Sequence, residues 1–179
     1  MEESIEKLKY PIGRFEPAAD FNLHTLNSWI HNIRVLPILL DGSIENLDAE
    51  QLNTPYRHGG WTIVQVIHHV ADSHMNAYIR LKLALTADEP TIVPYNEKLW
   101  AELPDVFDVP VNMSITLVHA LHVRWSTMLK LMEQEDWLRS YYHPEDKKLV
   151  TLWQMTNMYS WHGKHHVEQI MSLRQRMGW

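Results

Sequence analysis

Residues 151–175 read TLWQMTNMYSWHGKHHVEQIMSLRQ. At about 100° per residue, Leu152, Met155, Tyr159, Ile170 and Leu173 fall on one stripe, which predicts an amphipathic helix. Thr151 stands where an N-cap belongs, and Gln154 occupies the third helical position, the pattern of a reciprocal capping box. His162 and His166 lie on the same apolar stripe. They are four residues apart, so their rings sit one turn from each other and can converge on a common point. His165 falls off the stripe, towards solvent or a neighbouring helix. Two readings of this HxxxH pair stand side by side: hydrogen-bonded core histidines, or two ligands of a metal ion. Burying neutral imidazoles costs free energy unless both ring nitrogens find partners. An ion would satisfy one nitrogen of each ring.

Working outward, three further long helices are expected. From about Asp20 the positions Leu23, Leu26, Ile30, Ile33, Leu36 and Leu40 recur at three and four, with Pro37 as a kink or joint. A second helix runs from about Gly60 to Leu85, its stripe centred on Ile63, Ile67, Val70, His74, Ala77 and Leu81. A third is predicted from Ser114 as N-cap to about Glu133, burying Leu117, Leu121, Trp125, Met128 and Met132. Residues 47–53 read as short turns. Residues 86–112 hold four prolines and read as a long ordered loop with one short helix at 96–103. Around residues 143–146, HPED reads as a turn. No stretch alternates at period two, so no strand is expected. The reading is all-α: a four-helix bundle in one domain, residues 1–179, with an extended N-terminal arm over 1–18 and connections long enough for up-down-down-up order.

Composition narrows the chemistry. There is no cysteine among the 179 residues, which removes thiolate nucleophiles and thiolate metal sites. A net charge of −6, without a basic stripe, argues against nucleic acid as a partner. The N-terminal residues lack the apolar segment of a signal peptide, and no run approaches the roughly 18 apolar residues of a membrane span. A cytoplasmic protein with a small-molecule substrate is expected. HExxH, Glu-x-x-His, the P-loop and GxSxG patterns do not occur.

A third ligand would come from VIHHVADSHMNAY on the second helix. His74 sits at the centre of the apolar stripe, His68 at its flank, and His69 on the polar side with Ser73, Asn76 and Arg80. Periodicity alone favours His74; a cavity between helices would favour His69. His119 and His122 fall off the stripe of the third helix and read as a solvated pair.

The stretches YPIGRF at 10–15, TPYRHGGWT at 54–62, HHVADSHMNAYIRLKLALT at 68–86 and YSWHGKHHVEQI at 159–170 occur in an order that resembles the DinB-like superfamily, in particular its YfiT-like members, which carry the label of metal-dependent hydrolases. The resemblance covers the chain to its last residues. It implies a four-helix bundle and one divalent ion per chain, zinc or nickel, held by three histidines. The family pattern of His, apolar residue, Ala and acid falls on His69-Val70-Ala71-Asp72, and its HxxxH on His162 and His166. The resemblance therefore implies His69, His162 and His166 as ligands, in place of the His74 that periodicity favours. Three ligands leave an open position, as in catalytic sites. The reaction so implied is hydrolysis, or S-transfer with a low-molecular-weight thiol such as bacillithiol as co-substrate. The alternative is a non-catalytic bundle in which the ion only staples helices. Asn76 and Arg80, on the His69 side, and Arg57, in the loop before the helix, are the candidates for binding an anionic substrate group. Asp72 is a candidate for orienting a ligand imidazole. No protein general base stands out, so water or thiolate on the ion would have to serve. A homodimer is expected on the resemblance.

Overall fold

The computed structural model describes residues 4–179, and the first three residues of the N-terminal arm lie outside them. The arm is not wholly extended. Ser4 accepts a hydrogen bond from the Lys7 backbone and starts a short helix, α1 (Ile5–Lys9). The first long helix, α2 (Leu23–Ile44), is capped by the Asn22 side chain and carries Pro37 in its interior. A turn of helix, α3 (Ala49–Leu52), precedes α4 (Ile63–Thr86), whose N-terminus is a reciprocal capping box between Thr62 and Gln65. The connection after α4 forms two short helices where one was predicted, α5 (Glu97–Trp100) and α6 (Pro104–Asp108).

The next long helix, α7 (Val111–Leu131), starts behind Pro110 and not at Ser114. The Ser114 hydroxyl is used elsewhere, 2.7 Å from His68 Nδ1. A further short helix, α8 (Gln134–Leu138), leads into a hairpin that sequence periodicity missed: β1 (Ser140–His143) pairs antiparallel with β2 (Lys148–Thr151), Tyr141 opposite Val150. Neither strand buries one face throughout, so no alternation marks it. The expected turn over 143–146 lies at its tip. The loop after α4 holds the hairpin in place, because Ile92 N–H donates to Tyr142 O and Tyr142 N–H to Pro90 O. The last helix, α9 (Leu152–Met177), carries the predicted Thr151–Gln154 capping box and ends on Gly178 at φ 72°.

Contacts fix the helix directions. Asn32 meets Ser160 and Ser43 meets Arg174, so α2 and α9 run parallel. His68 meets Ser114 and His74 meets His122, so α4 and α7 also run parallel. His69 and His74 both reach back to His162, and Asp41 faces His119 while Ile33 faces His122; the pairs α4–α9 and α2–α7 are antiparallel. The bundle is up-down-down-up.

Its core is split along the axis. One apolar cluster gathers around Trp125, Leu81, Met155 and Tyr159; the other around Leu36, Ile67, Val118 and Ile170. Between them lies a layer of histidines. Helix α9 approaches α2 closely beside this layer: a β carbon on Gly163 would lie 2.5 Å from Leu36 Cδ2.

Candidate metal centre

Three of the layer's histidines converge. His69 Nε2 lies 3.3 Å from His162 Nε2, and His166 Nε2 lies 3.2 Å from the same atom. One nitrogen from each ring falls within a 4.8 Å group. His69 and His162 line an open cavity of 360 Å³, whereas His166 is buried behind them. Trp61 packs on the His69 ring at 4.7 Å.

The protonation of these rings follows from the chain. In a helix the carbonyl of residue 33 normally accepts from the N–H of residue 37. Pro37 has none, so the Ile33 carbonyl is free for another donor. It takes His122 Nδ1–H across the helix interface. A carbonyl can only accept, so His122 Nε2 must be bare and accept from His74 Nδ1–H at 3.0 Å. His74 Nε2 in turn accepts from His162 Nδ1–H at 3.2 Å. His162 Nε2 is left as a lone pair aimed into the cluster. The second ligand is set in the same way. The Lys9 carbonyl, orphaned at the end of α1, accepts from Gln169 Nε2 at 3.1 Å. That fixes the orientation of the amide, so Gln169 Oε1 accepts from His166 Nδ1–H at 2.9 Å. His166 Nε2 is therefore also a bare lone pair.

Burial keeps the rings neutral. Desolvation pushes His69 down to about 4, with the nearby His165 adding to the effect. His162 and His166 are held well below the ordinary histidine range, by desolvation first and by their histidine neighbours second. Two bare nitrogens 3.2 Å apart repel unless something lies between them. The corners of a tetrahedral site with bonds of about 2.0–2.1 Å stand about 3.3 Å apart, so the observed spacing suits a divalent ion. The donor set fits such an ion.

The remaining candidates have other roles. His74, which the apolar stripe favoured, spends both nitrogens on His122 and His162. His68 bonds Ser114 and Val109 O. His165 is buried and not solvated; it stacks on Trp161 and meets Gln169 Nε2 at 2.9 Å. His119 is exposed and pairs with Asp41, but His122 is buried, contrary to the solvated pair predicted. Asp72 makes no hydrogen bond to a histidine; burial, reinforced by Asp105, raises its carboxyl to about 6. The hydrogen bonds that orient the rings of His166 and His162 come from Gln169 and from His74 with His122 behind it. Gln169 stands three residues after His166, a spacing that could have marked it; the His74–His122 link crosses helices and leaves no such mark. Arg80 lines the cavity beside His69. Asn76 instead donates to the Asp72 carbonyl, and Arg57 lines a separate groove with Trp61 and Glu102.

An up-down-down-up bundle with three convergent imidazoles from two antiparallel helices defines a class of helical protein with a site suited to a metal ion. The family model of the DinB superfamily matches residues 38–170, and the chain belongs to that superfamily. A protein of Geobacillus thermodenitrificans named "Putative metal-dependent hydrolase" is 46% identical over 98% of this chain and 99% of its own length. A protein of Bacillus cereus with the same name is 48% identical over 98% of this chain and all of its own. The solved structure of YfiT from Bacillus subtilis, described as "a probable metal-dependent hydrolase with an unusual four-helix bundle topology", superposes with a TM-score of 0.94 at 42% identity, covering 97% of this chain and 99% of that one.

Proposed function

We propose that the chain is a divalent-metal-dependent hydrolase of small molecules, with the ion held by His69, His162 and His166. The observation that carries this reading is the convergence of His69 Nε2 with the bare Nε2 lone pairs of His162 and His166 beside an open cavity. Zinc and nickel both suit three imidazoles. A divalent ion in such a site lowers the pKa of bound water towards 7 and polarises a carbonyl. The chain's own part is to orient and to exclude. Gln169 and His74 hold the rings of His166 and His162 in one tautomer, and the two apolar clusters flank the histidine layer. Tyr159 lines the cavity; burial raises its pKa, so at neutral pH it remains a neutral donor for a substrate oxygen. No fourth histidine or carboxylate joins the cluster among the described residues, and His74 and His165 are engaged elsewhere, which favours an open catalytic position over a structural staple.

The same opening would admit a thiol. With no cysteine in the chain, S-transfer would need a low-molecular-weight thiol such as bacillithiol from solution. Elemental analysis of untagged protein tests the metal site: we expect about one ion per chain, lost in His69→Ala, His162→Ala and His166→Ala. Absence of binding after incubation with zinc or nickel would overturn the reading. Ester and amide hydrolysis by the loaded protein, measured with and without added thiol, then separates the two reactions.

A further inference from the structure

Arg80 stands three turns along α4 from His69, and its side chain lines the metal-site cavity. It is only 8% exposed. A buried guanidinium is ordinarily matched by a carboxylate, because an unpaired charge away from water is costly. None pairs with Arg80 among the described residues. Its Nε has no hydrogen-bond partner at all. The groups near it include three neutral hydroxyls, those of Tyr141, Tyr159 and Tyr95. Glu97 and Glu145 also line the cavity, but both are exposed at its mouth, where solvent screens them. The deep end of the cavity thus holds a positive charge waiting for an anion.

A second cavity, of 350 Å³, adjoins the first. Arg80 and His143 line both. The second space is bordered by Phe15, Leu149, Met155 and Met158, from the N-terminal arm, the hairpin and the first turns of α9, and by Asp146 and Lys148, which pair with each other at 3.6 Å. An anion on Arg80 would therefore adjoin both the cavity of His69 and His162 and a second, largely apolar one.

We propose that the substrate is an organic carboxylate with an apolar substituent, its carboxylate bound by Arg80, its apolar group in the Phe15–Met158 cavity, and its scissile ester or amide bond directed at the histidine cluster. Hydrolysis adds one water across that bond and releases an acid with an alcohol or amine. This assignment rests on the metal-site reading for the reaction, but the binding mode stands on Arg80 and the second cavity alone.

The test is binding of three probes, 4-phenylbutyrate, its neutral amide and acetate, measured by calorimetry on the metal-loaded and the chelated protein. The wild type is expected to bind phenylbutyrate at least tenfold tighter than the amide and than acetate, with or without the ion. Arg80→Met keeps the length of the stem without the charge and should abolish the preference over the amide while leaving metal content unchanged. Leu149→Trp, at a half-exposed position, should fill the second cavity and weaken phenylbutyrate tenfold with acetate unaffected; this variant keeps the test decisive if Arg80→Met does not fold. Absence of phenylbutyrate binding, equal binding of the amide, or a preference that survives Arg80→Met would overturn the proposal. A preference that requires the ion would place the carboxylate on the metal, and would overturn it too. Loss of metal with the anion preference intact would sink the metal reading and leave this one standing.

Discussion

Acidifying the metal-free protein from pH 7 to pH 5 is expected to destabilise it, and His122 alone should account for about 2 kcal/mol of that loss. The ring is 1% exposed and touches none of the three ligands. Burial pushes its pKa down to about 4, outweighing the bond to the Ile33 carbonyl, which acts the other way. In the unfolded chain an imidazole titrates near 6.5. At pH 5 the unfolded His122 is almost wholly protonated and the native one only about a tenth so. Because the native value lies below the unfolded one, unfolded chains bind more protons across the interval between them. Stability is present in full above the unfolded value and falls as pH falls towards about 4. The experiment is urea denaturation with chelator at both pH values, for wild type and His122→Leu. The variant also leaves His74 Nδ1–H and the Ile33 carbonyl without their partner, a cost of about 1–3 kcal/mol at either pH, so the comparison is between the two pH-dependent losses. The wild type should lose about 2 kcal/mol more than the variant. Equal losses would mean that His122 titrates alike in both states. The neutral chain of tautomers that leaves His162 Nε2 bare would then fail.

Gln169→Leu removes the acceptor of His166 Nδ1–H. Metal affinity, read by competition with a chromophoric chelator, should fall about 10–100-fold while helix content stays unchanged; an unaltered affinity would show that the amide does not orient the ligand. Gly163→Ala would press a β carbon against the side chain of Leu36, which is 1% exposed, with three of its carbons within 3.2 Å. Overpacking of about 1–3 kcal/mol should outweigh a gain of about 1 kcal/mol in helix propensity and lower the Tm, and a raised Tm would refute the close approach.

Much of the bundle could be read from local pattern. The four long helices, the capping box at Thr151 and the pairing of His162 with His166 depend on residues within a turn or two of each other, and these interactions survive in any tertiary context. Failures occurred where a distant residue took over a local group. Ser114 does not cap α7 because the helix begins three residues earlier, behind Pro110, and the Ser114 hydroxyl donates to His68. His74 is the most central histidine of α4 and is fully buried, yet its position against α7 engages it with His122, which no periodicity shows. The hairpin escaped notice because its strands have no buried face of their own and are held by the loop after α4.

The sequence by itself determined which residues could act: twelve histidines and no cysteine, an HxxxH pair on one helical face, and a proline in the first long helix. These follow from composition and from the 3.6-residue period, which needs no partner to define it. Only the tertiary structure decided which of them act together. Helix order and direction brought His69 to His162 and His166, placed His122 under the carbonyl that Pro37 releases, and set Lys9 over Gln169. Hydrogen bonds between helices are short-ranged and directional, so the protonation of a ligand ring depends on contacts between residues up to 160 positions apart in the chain. No local pattern encodes them.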